Sequence, residues 1–283
     1  MSRWVWRGAA DEIDARLCLS SGMSFRWREV VPGIWRGGDG DANLEIEVRG
    51  SDWWLDSDAS EDRWTAYFEW GIDHAVRREE LLRRDPRLTP AVEAFPGLRL
   101  IRPQAPFDVI VGFLLSQNSN VARITQMHDA LHELADGRFP RPEEVANKGE
   151  DYWREKGLGY RAKYLAAASK QVQSWGGEES LQEMKQLPYQ EVTTRLVELA
   201  GVGPKVADCI ALFGYHHGEA VPVDTHIWKS AIASDFADFA GKSITASRYR
   251  EIGDTYRRRF GELAALAQQY DFTLSSQRRV NRG

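Results

Sequence analysis

Three features of the chain predict an α+β fold: an alternating, tryptophan-rich N-terminal stretch, a change to helical texture after about residue 60, and a glycine-broken helical hairpin at about 190–214. The expected layout is an N-terminal antiparallel β-sheet domain with helices over residues 1–100, followed by a mostly α-helical region over 101–283. Residues 24–28 alternate so that Phe25 and Trp27 share one strand face, and residues 44–48 repeat the pattern. Pro32-Gly33 and Gly37-Gly38-Asp39-Gly40 read as turns between these runs, and Trp53 and Trp54 continue the sheet. Such a region is first of all a half-buried sheet.

Helical signals then take over. Residues 79–84 form a helix that stops at Asp85-Pro86, because proline disfavours helical backbone in the residue before it. Residues 106–115 are apolar enough for a buried helix and meet a polar break at Asn118-Ser119-Asn120. Val121, Ile124, Met127 and Leu131 recur at helical spacing. Further helices are expected around 161–174, 178–187, 190–199, 205–214, 225–233 and 245–269, and the polar, basic tail 275–283 is expected to fray.

Composition bounds the function without choosing it. Hydrophobic residues make up 42% and charged residues 28%, as in soluble globular proteins. No apolar run approaches the ~18 residues that span a bilayer, and the first residues lack a secretory pattern. The expectation is a soluble, intracellular, monomeric protein with no membrane partner. Cys18 and Cys209 cannot supply the four thiolates of an iron–sulfur cluster or a Cys-rich zinc site, and a disulfide between them stays open. A net charge of −5 argues mildly against nucleic acid, although a positive groove can sit on an acidic body.

The most informative stretch is residues 196–210. One helix ends at Ala200, Gly201-Val202-Gly203 turns, and Pro204 opens the next helix, where its missing N–H costs nothing. The glycines permit positive φ and close approach of another backbone. The free N–H groups of the turn suit a phosphate, so the hairpin could grip a DNA backbone without reading bases. Gly-Val-Gly alone fits a structural hairpin equally well. Lys205 in the first helical turn is a poor electrostatic position for a merely solvated cation. Asp224, before Thr225, reads as a helix N-cap.

Together these residues resemble the helix–hairpin–helix/Gly-Pro-Asp DNA glycosylases: the hairpin with Lys205 is followed about 20 residues later by Val221-Pro222-Val223-Asp224-Thr225-His226. The resemblance covers nearly the whole chain and narrows to the 8-oxoguanine DNA glycosylase family. It implies Lys205 as covalent nucleophile and Asp224 as its essential acidic partner. An amine attacking C1′ can form a Schiff base, as water cannot, and β-elimination can follow. A free lysine titrates near ~10.4, so attack near neutral pH calls for depression by roughly three units; burial lowers the pKa and a carboxylate raises it, a balance the sequence leaves open.

The same resemblance implies a lesion-base pocket of Gly22, Cys209, Gln268 and Phe272. The Gly22 carbonyl would accept from N7–H, a proton 8-oxoguanine has and guanine lacks, although Gly22 also fits a plain turn. Cys209 shares a helical face with Lys205; with Phe272 it would sandwich an extruded base, and Gln268 would bond its edge. Asn118 would fill the gap in the duplex, Tyr160 would wedge beside it, and Arg123 and Arg161 would bond the orphaned cytosine. Ser119 departs from the family's run of three asparagines. Gly201, Gly203, Lys205 and His226 would meet phosphates. Carbonyls of Val197, Leu199 and Val202 would hold a monovalent cation at the hairpin; no catalytic cofactor is required. The implied partner is double-stranded DNA containing 8-oxoguanine. Two rivals remain: a glycosylase of the same superfamily for another damaged purine, and a non-catalytic helix–hairpin–helix DNA-binding protein.

Overall fold

The computed structural model describes residues 2–280 of the chain, with the side chains of residues 121, 122 and 278–280 outside that description. Five antiparallel strands form one sheet in the order β1-β5-β4-β3-β2: β1 (Ser2–Trp6), β2 (Arg28–Val31), β3 (Ile34–Asp39), β4 (Ala42–Arg49) and β5 (Asp52–Ser57). Strands β2 to β5 are successive hairpins, and β1 pairs with β5, opposing Trp6 to Trp53. Trp6, Trp27 and Trp53 pack edge-on or tilted against Phe68, an aromatic core that accounts for the density of tryptophan. The polar tips are satisfied: Trp27 Nε1 donates to the Tyr67 hydroxyl and Trp64 Nε1 to Ser57 Oγ, both at 2.8 Å.

Two strand readings need correction. Residues 24–27 are an irregular connection, and β2 starts only at Arg28. Phe25 packs on Phe113, Trp27 enters the aromatic core, and Arg26 between them is also buried, so the segment cannot hold strand alternation. Arg26 pairs with buried Asp108, and its Nη1 donates to the Gly40 carbonyl at 3.2 Å. Gly37 and Gly38 belong to β3, not to a turn. A Cβ on Gly37 would sit 2.3 Å from the Trp27 indole, so close packing explains this glycine.

Helices α1 (Ala9–Glu12) and α2 (Ala15–Ser20) lie between β1 and β2, while α3 (Glu61–Phe68), α4 (His74–Arg84) and α5 (Thr89–Ala94) follow the sheet. The helical body continues with α6 (Pro106–Ser116), α7 (Val121–Leu134), α8 (Pro142–Glu155), α9 (Arg161–Trp175), α10 (Glu178–Glu183) and α11 (Tyr189–Leu196). It closes with α12 (Pro204–Gly214), α13 (Thr225–Ser234), α14 (Ala246–Phe260) and α15 (Ala264–Val280). Residues 106–115 of α6 are all buried, as their apolar run predicts. Ile124, Met127 and Leu131 of α7 are buried; the side chain of Val121 lies outside the described residues. Helix α8 and strand β1 are additions to the sequence reading.

The expected helix over 245–269 is two helices. Gly261, at φ 55 and ψ −128, breaks it, and a short 3-10 turn over Gly261–Leu263 redirects the chain. The tail is also more ordered than expected: α15 runs to Val280, and residues 281–283 lie outside the described residues. Thr273 Oγ1 and Ser276 Oγ bond back to the carbonyls of Gln269 and Thr273, and Ser275 Oγ meets His226 Nδ1 at 3.2 Å. Among the described residues no helix is long and apolar enough to cross a membrane.

Candidate active site

Helices α11 and α12 form the hairpin, joined by residues 197–203. Only one of its glycines uses the left-handed region: Gly201 has φ 84, whereas Gly203 is extended at φ −91. A Cβ on Gly201 would lie 2.6 Å from Tyr164 Cγ, and the Gly201 carbonyl accepts from Gln117 Nε2 at 3.1 Å. Gly203 faces open space at the start of α12, where unbonded helical N–H groups can receive an anion. Gly201→Ala combines strained backbone with a clash, and urea unfolding should show a loss of about 1–3 kcal/mol. Unchanged stability would mean that the turn adapts.

Lys205 is the second residue of α12, with Nζ 6.0 Å from the ring centre of Phe113 on α6. It stays open to solvent on one side while protein crowds the rest of its amine. Its pKa is held above the ordinary lysine value: Cys209 contributes most, and Asp224 and Asp208 add to it, against the opposing effect of burial. Burial pushes the Cys209 thiol up as well, against the pull of Lys205. The balance left open by sequence falls on the cationic side in the free protein: Cys209, with Asp224 and Asp208, outweighs the opposing effect of burial.

Asp224 caps α13, its Oδ1 accepting from the N–H groups of His226 and Ile227 at 2.9 Å each. The cap fixes the carboxylate, which acts electrostatically on both Lys205 and Cys209. His226 turns toward α15: its ring meets Phe272 edge-on at 5.4 Å. Gln268 is buried, and its Oε1 has no hydrogen-bond partner among the described residues. A buried acceptor without a partner is unfavourable unless something outside the chain supplies a donor. Gly22 follows α2 at φ 83, half-buried, three residues before Phe25, whose ring packs on Phe113. The N-terminal half thus reaches the neighbourhood of Lys205 through Phe25 and Phe113.

A second cluster joins the end of α6 to the start of α9. Asn118 is exposed at φ 47, with Nδ2 3.5 Å from the Tyr160 hydroxyl, which itself donates to the Gln117 carbonyl at 3.0 Å. Arg161 lies under the Tyr160 ring at 4.5 Å; its Nε donates to the Gln117 carbonyl at 3.0 Å and its Nη2 to that of Asn118 at 2.8 Å. Arg161 is buried, so its guanidinium supports the loop as folded, while exposed Arg123 donates to the Gly157 carbonyl at 3.0 Å. Tyr160 remains 45% exposed, enough for its ring to meet a partner.

Sequence reasoning missed Asp208, Tyr249 and Gln117. Asp208, one turn after Lys205, is buried and accepts from Tyr189 and Tyr249. A lone carboxylate within the otherwise apolar run 206–214 of α12 was the available signal. Gln117 was passed over because its role is backbone bonding across the two loops.

Residues 111–251 match the family described as HhH-GPD superfamily base excision DNA repair protein. The N-glycosylase/DNA lyase OGG1 of Arabidopsis thaliana is 30% identical over 277 residues, covering 91% of this chain and 76% of that protein. The crystal structure of Clostridium acetobutylicum 8-oxoguanine glycosylase/lyase in complex with dsDNA containing cytosine opposite to 8-oxoG superposes with a TM-score of 0.81 at 27% identity, covering 95% of this chain and 93% of that one. MBOgg1 in complex with a low affinity DNA ligand gives 0.85 at 26% identity, covering 99% and 97%. With the hairpin, the lysine at the start of its second helix and an aspartate capping α13 that acts electrostatically on that lysine, the chain belongs to the N-glycosylase/DNA lyase family within the HhH-GPD superfamily of base excision DNA repair proteins.

Proposed function

We propose that this protein excises 8-oxoguanine from duplex DNA, preferentially opposite cytosine, and then cleaves the strand through a lysine Schiff base. The observation that carries the reading is Lys205 at the start of the hairpin's second helix, exposed to solvent, with Cys209 and Asp224 both acting electrostatically on its amine. Attack of the neutral amine on C1′ displaces the base with the bonding electrons of the glycosidic bond. Loss of the amine proton and opening of the sugar ring give an imine. That imine acidifies the C2′ proton, and its removal expels the 3′ phosphate. Asp224, held by its two cap bonds, is placed to stabilise positive charge developing on the sugar.

The roles of the remaining residues belong to the same proposal. Cys209 and Phe272 sandwich the extruded base, and the unpartnered Gln268 Oε1 accepts from its edge. Gly22 supplies a carbonyl to N7–H, so guanine would leave that acceptor facing a lone pair. Asn118 and Tyr160 occupy the gap; Arg123, and Arg161 after releasing its loop carbonyls, meet the orphaned cytosine. Gly201, Gly203, Lys205 and His226 receive phosphates. A monovalent cation would be held by the carbonyls of Val197, Leu199 and Val202; the Leu199 carbonyl accepts from Val202 N–H at 3.0 Å and has a second lone pair to offer it. Bound there, the ion would add positive charge beside the phosphate.

Duplexes carrying one 8-oxoguanine opposite each of the four bases test the reading. Cleavage should be fastest opposite cytosine, and an undamaged guanine should stay intact. Equal rates against all four partners would remove Arg123 and Arg161 from the assignment, and comparable excision of guanine would remove Gly22. Borohydride trapping on the same duplexes separates an enzyme from a binding protein, which yields no adduct.

A further inference from the structure

Asp208 joins three parts of the active-site region. Its Oδ1 accepts from the Tyr189 hydroxyl of α11 at 2.5 Å, and its Oδ2 accepts from the Tyr249 hydroxyl of α14. The Tyr249 oxygen in turn accepts from the Val223 N–H at 3.4 Å, and its hydroxyl lies 3.5 Å from the Val221 carbonyl. Arg257 Nη1 reaches the Tyr189 hydroxyl at 3.3 Å and the Glu219 carbonyl at 3.4 Å, closing the network from outside. Asp208 is three residues after Lys205 on the same helix, and Val223 immediately precedes Asp224. The helix carrying the nucleophile and the segment carrying its acidic partner are thus bridged through a side-chain carboxylate and one hydroxyl.

We infer that Tyr249, held by Asp208, is a positioning residue that fixes the Asp224 carboxylate relative to the Lys205 amine. The two cap bonds of Asp224 set its place on α13, but they leave the distance between α13 and α12 unspecified. Residues 220–223 carry no strand or helix, so their buried backbone needs side-chain partners to hold one conformation. The Tyr249 hydroxyl is one such partner. Burial raises Asp208 against the two tyrosine bonds that pull it back, as expected of a carboxylate that depends on those bonds for its solvation. A hydroxyl shared between Asp208 and the backbone before Asp224 transmits any shift of one helix to the other. Misplacement by about 1 Å near a reacting centre can lower rates about 100-fold.

The inference rests on the proposed Lys205/Asp224 chemistry and is tested by a double-mutant cycle on full-length protein. Single-turnover excision from a duplex with 8-oxoguanine opposite cytosine is measured for wild type, Tyr249→Phe, Asp224→Asn and the double variant, with DNA affinity and thermal unfolding in parallel. Excision by wild type comes first: its absence rejects the proposed function and leaves Tyr249 aside. Given that activity, Tyr249→Phe should lower the excision rate about 10-fold with affinity within about twofold, and should lower it less than about twofold in the Asp224→Asn background. Tyr189→Phe also removes one bond to Asp208, but on the side away from residues 221–224, and should slow excision clearly less than Tyr249→Phe. An unchanged rate in Tyr249→Phe, an equal loss in both backgrounds, or equal losses in the two tyrosine variants would overturn the inference. If Tyr249→Phe does not fold, Asp208→Asn, which keeps the shape and one oxygen acceptor, takes its place in the cycle: a loss confined to the Asp224 background supports the inference, and an unchanged rate or an equal loss in both backgrounds overturns it.

Discussion

Lys205→Gln should lower base excision by at least about 10⁴-fold and abolish borohydride trapping, because glutamine lacks a nucleophilic amine while its side chain, one bond shorter, stays polar and fits the same space. Binding to lesion-containing duplex should fall far less than the rate, by about tenfold at most, since only one of the proposed phosphate contacts is lost and the backbone of the hairpin and of α12 is unchanged. Detectable adduct in this variant would assign the nucleophile elsewhere. The electrostatics add a pH signature. The amine has to lose a proton before it attacks, and Cys209 first, then Asp224 and Asp208, hold that proton on Lys205 against the effect of burial. A raised pKa means that the neutral fraction grows with pH, so single-turnover excision should climb by about tenfold per unit until the amine is deprotonated. Cys209→Ala withdraws the largest of these influences and should move the rising limb to lower pH, whatever it does to the maximal rate. A limb at the same pH in both proteins would show that Cys209 does not govern the proton on Lys205.

Asp224→Asn should slow excision by about 10²–10³-fold with DNA affinity nearly unchanged. The amide oxygen can still accept from the His226 and Ile227 N–H groups, which separates the loss of charge from the loss of the cap. Thermal unfolding within a few degrees of wild type would confirm that separation. Asp224→Ala, which loses both, should be less stable by about 1 kcal/mol as well as slow. If Asp224→Asn keeps the wild-type rate, the carboxylate acts only as a helix cap, and the positive charge on the sugar must be met by another group.

The backbone of the site was legible because its signals are local. Glycine and proline mark the hairpin, and Asp224 ahead of Thr225 marks a cap, so neither needs tertiary knowledge. The helices around 106–115 and 205–214 announce themselves by continuous or periodic apolar residues. What failed depended on partners distant in sequence. Nothing in residues 24–28 discloses that Asp108 lies opposite Arg26, which turns an apparent strand into a connection with all three central side chains inward. Gly37 reads as a turn until the Trp27 indole is seen lying on it. The sign of the Lys205 shift likewise needed Cys209, Asp208 and Asp224 around one amine, with a solvent opening on the other side. Tyr249 was invisible for the same reason: it stands 41 residues from Asp208.

The pairing of Arg26 with Asp108 bears on how such a protein can be taken apart or recombined. It fastens the connection after α2 to α6, the buried helix whose Phe113 stands beside Lys205. A fragment beginning beyond the strands would leave Asp108 without its cation and uncover the Phe113 ring that Phe25 now shields. The N-terminal sheet and its connections are therefore packed into the helical body through Phe25 and Arg26, not appended as a separate module. An exchange of this half between relatives would succeed only where the arginine, the aspartate and the aromatic pair are inherited as a set.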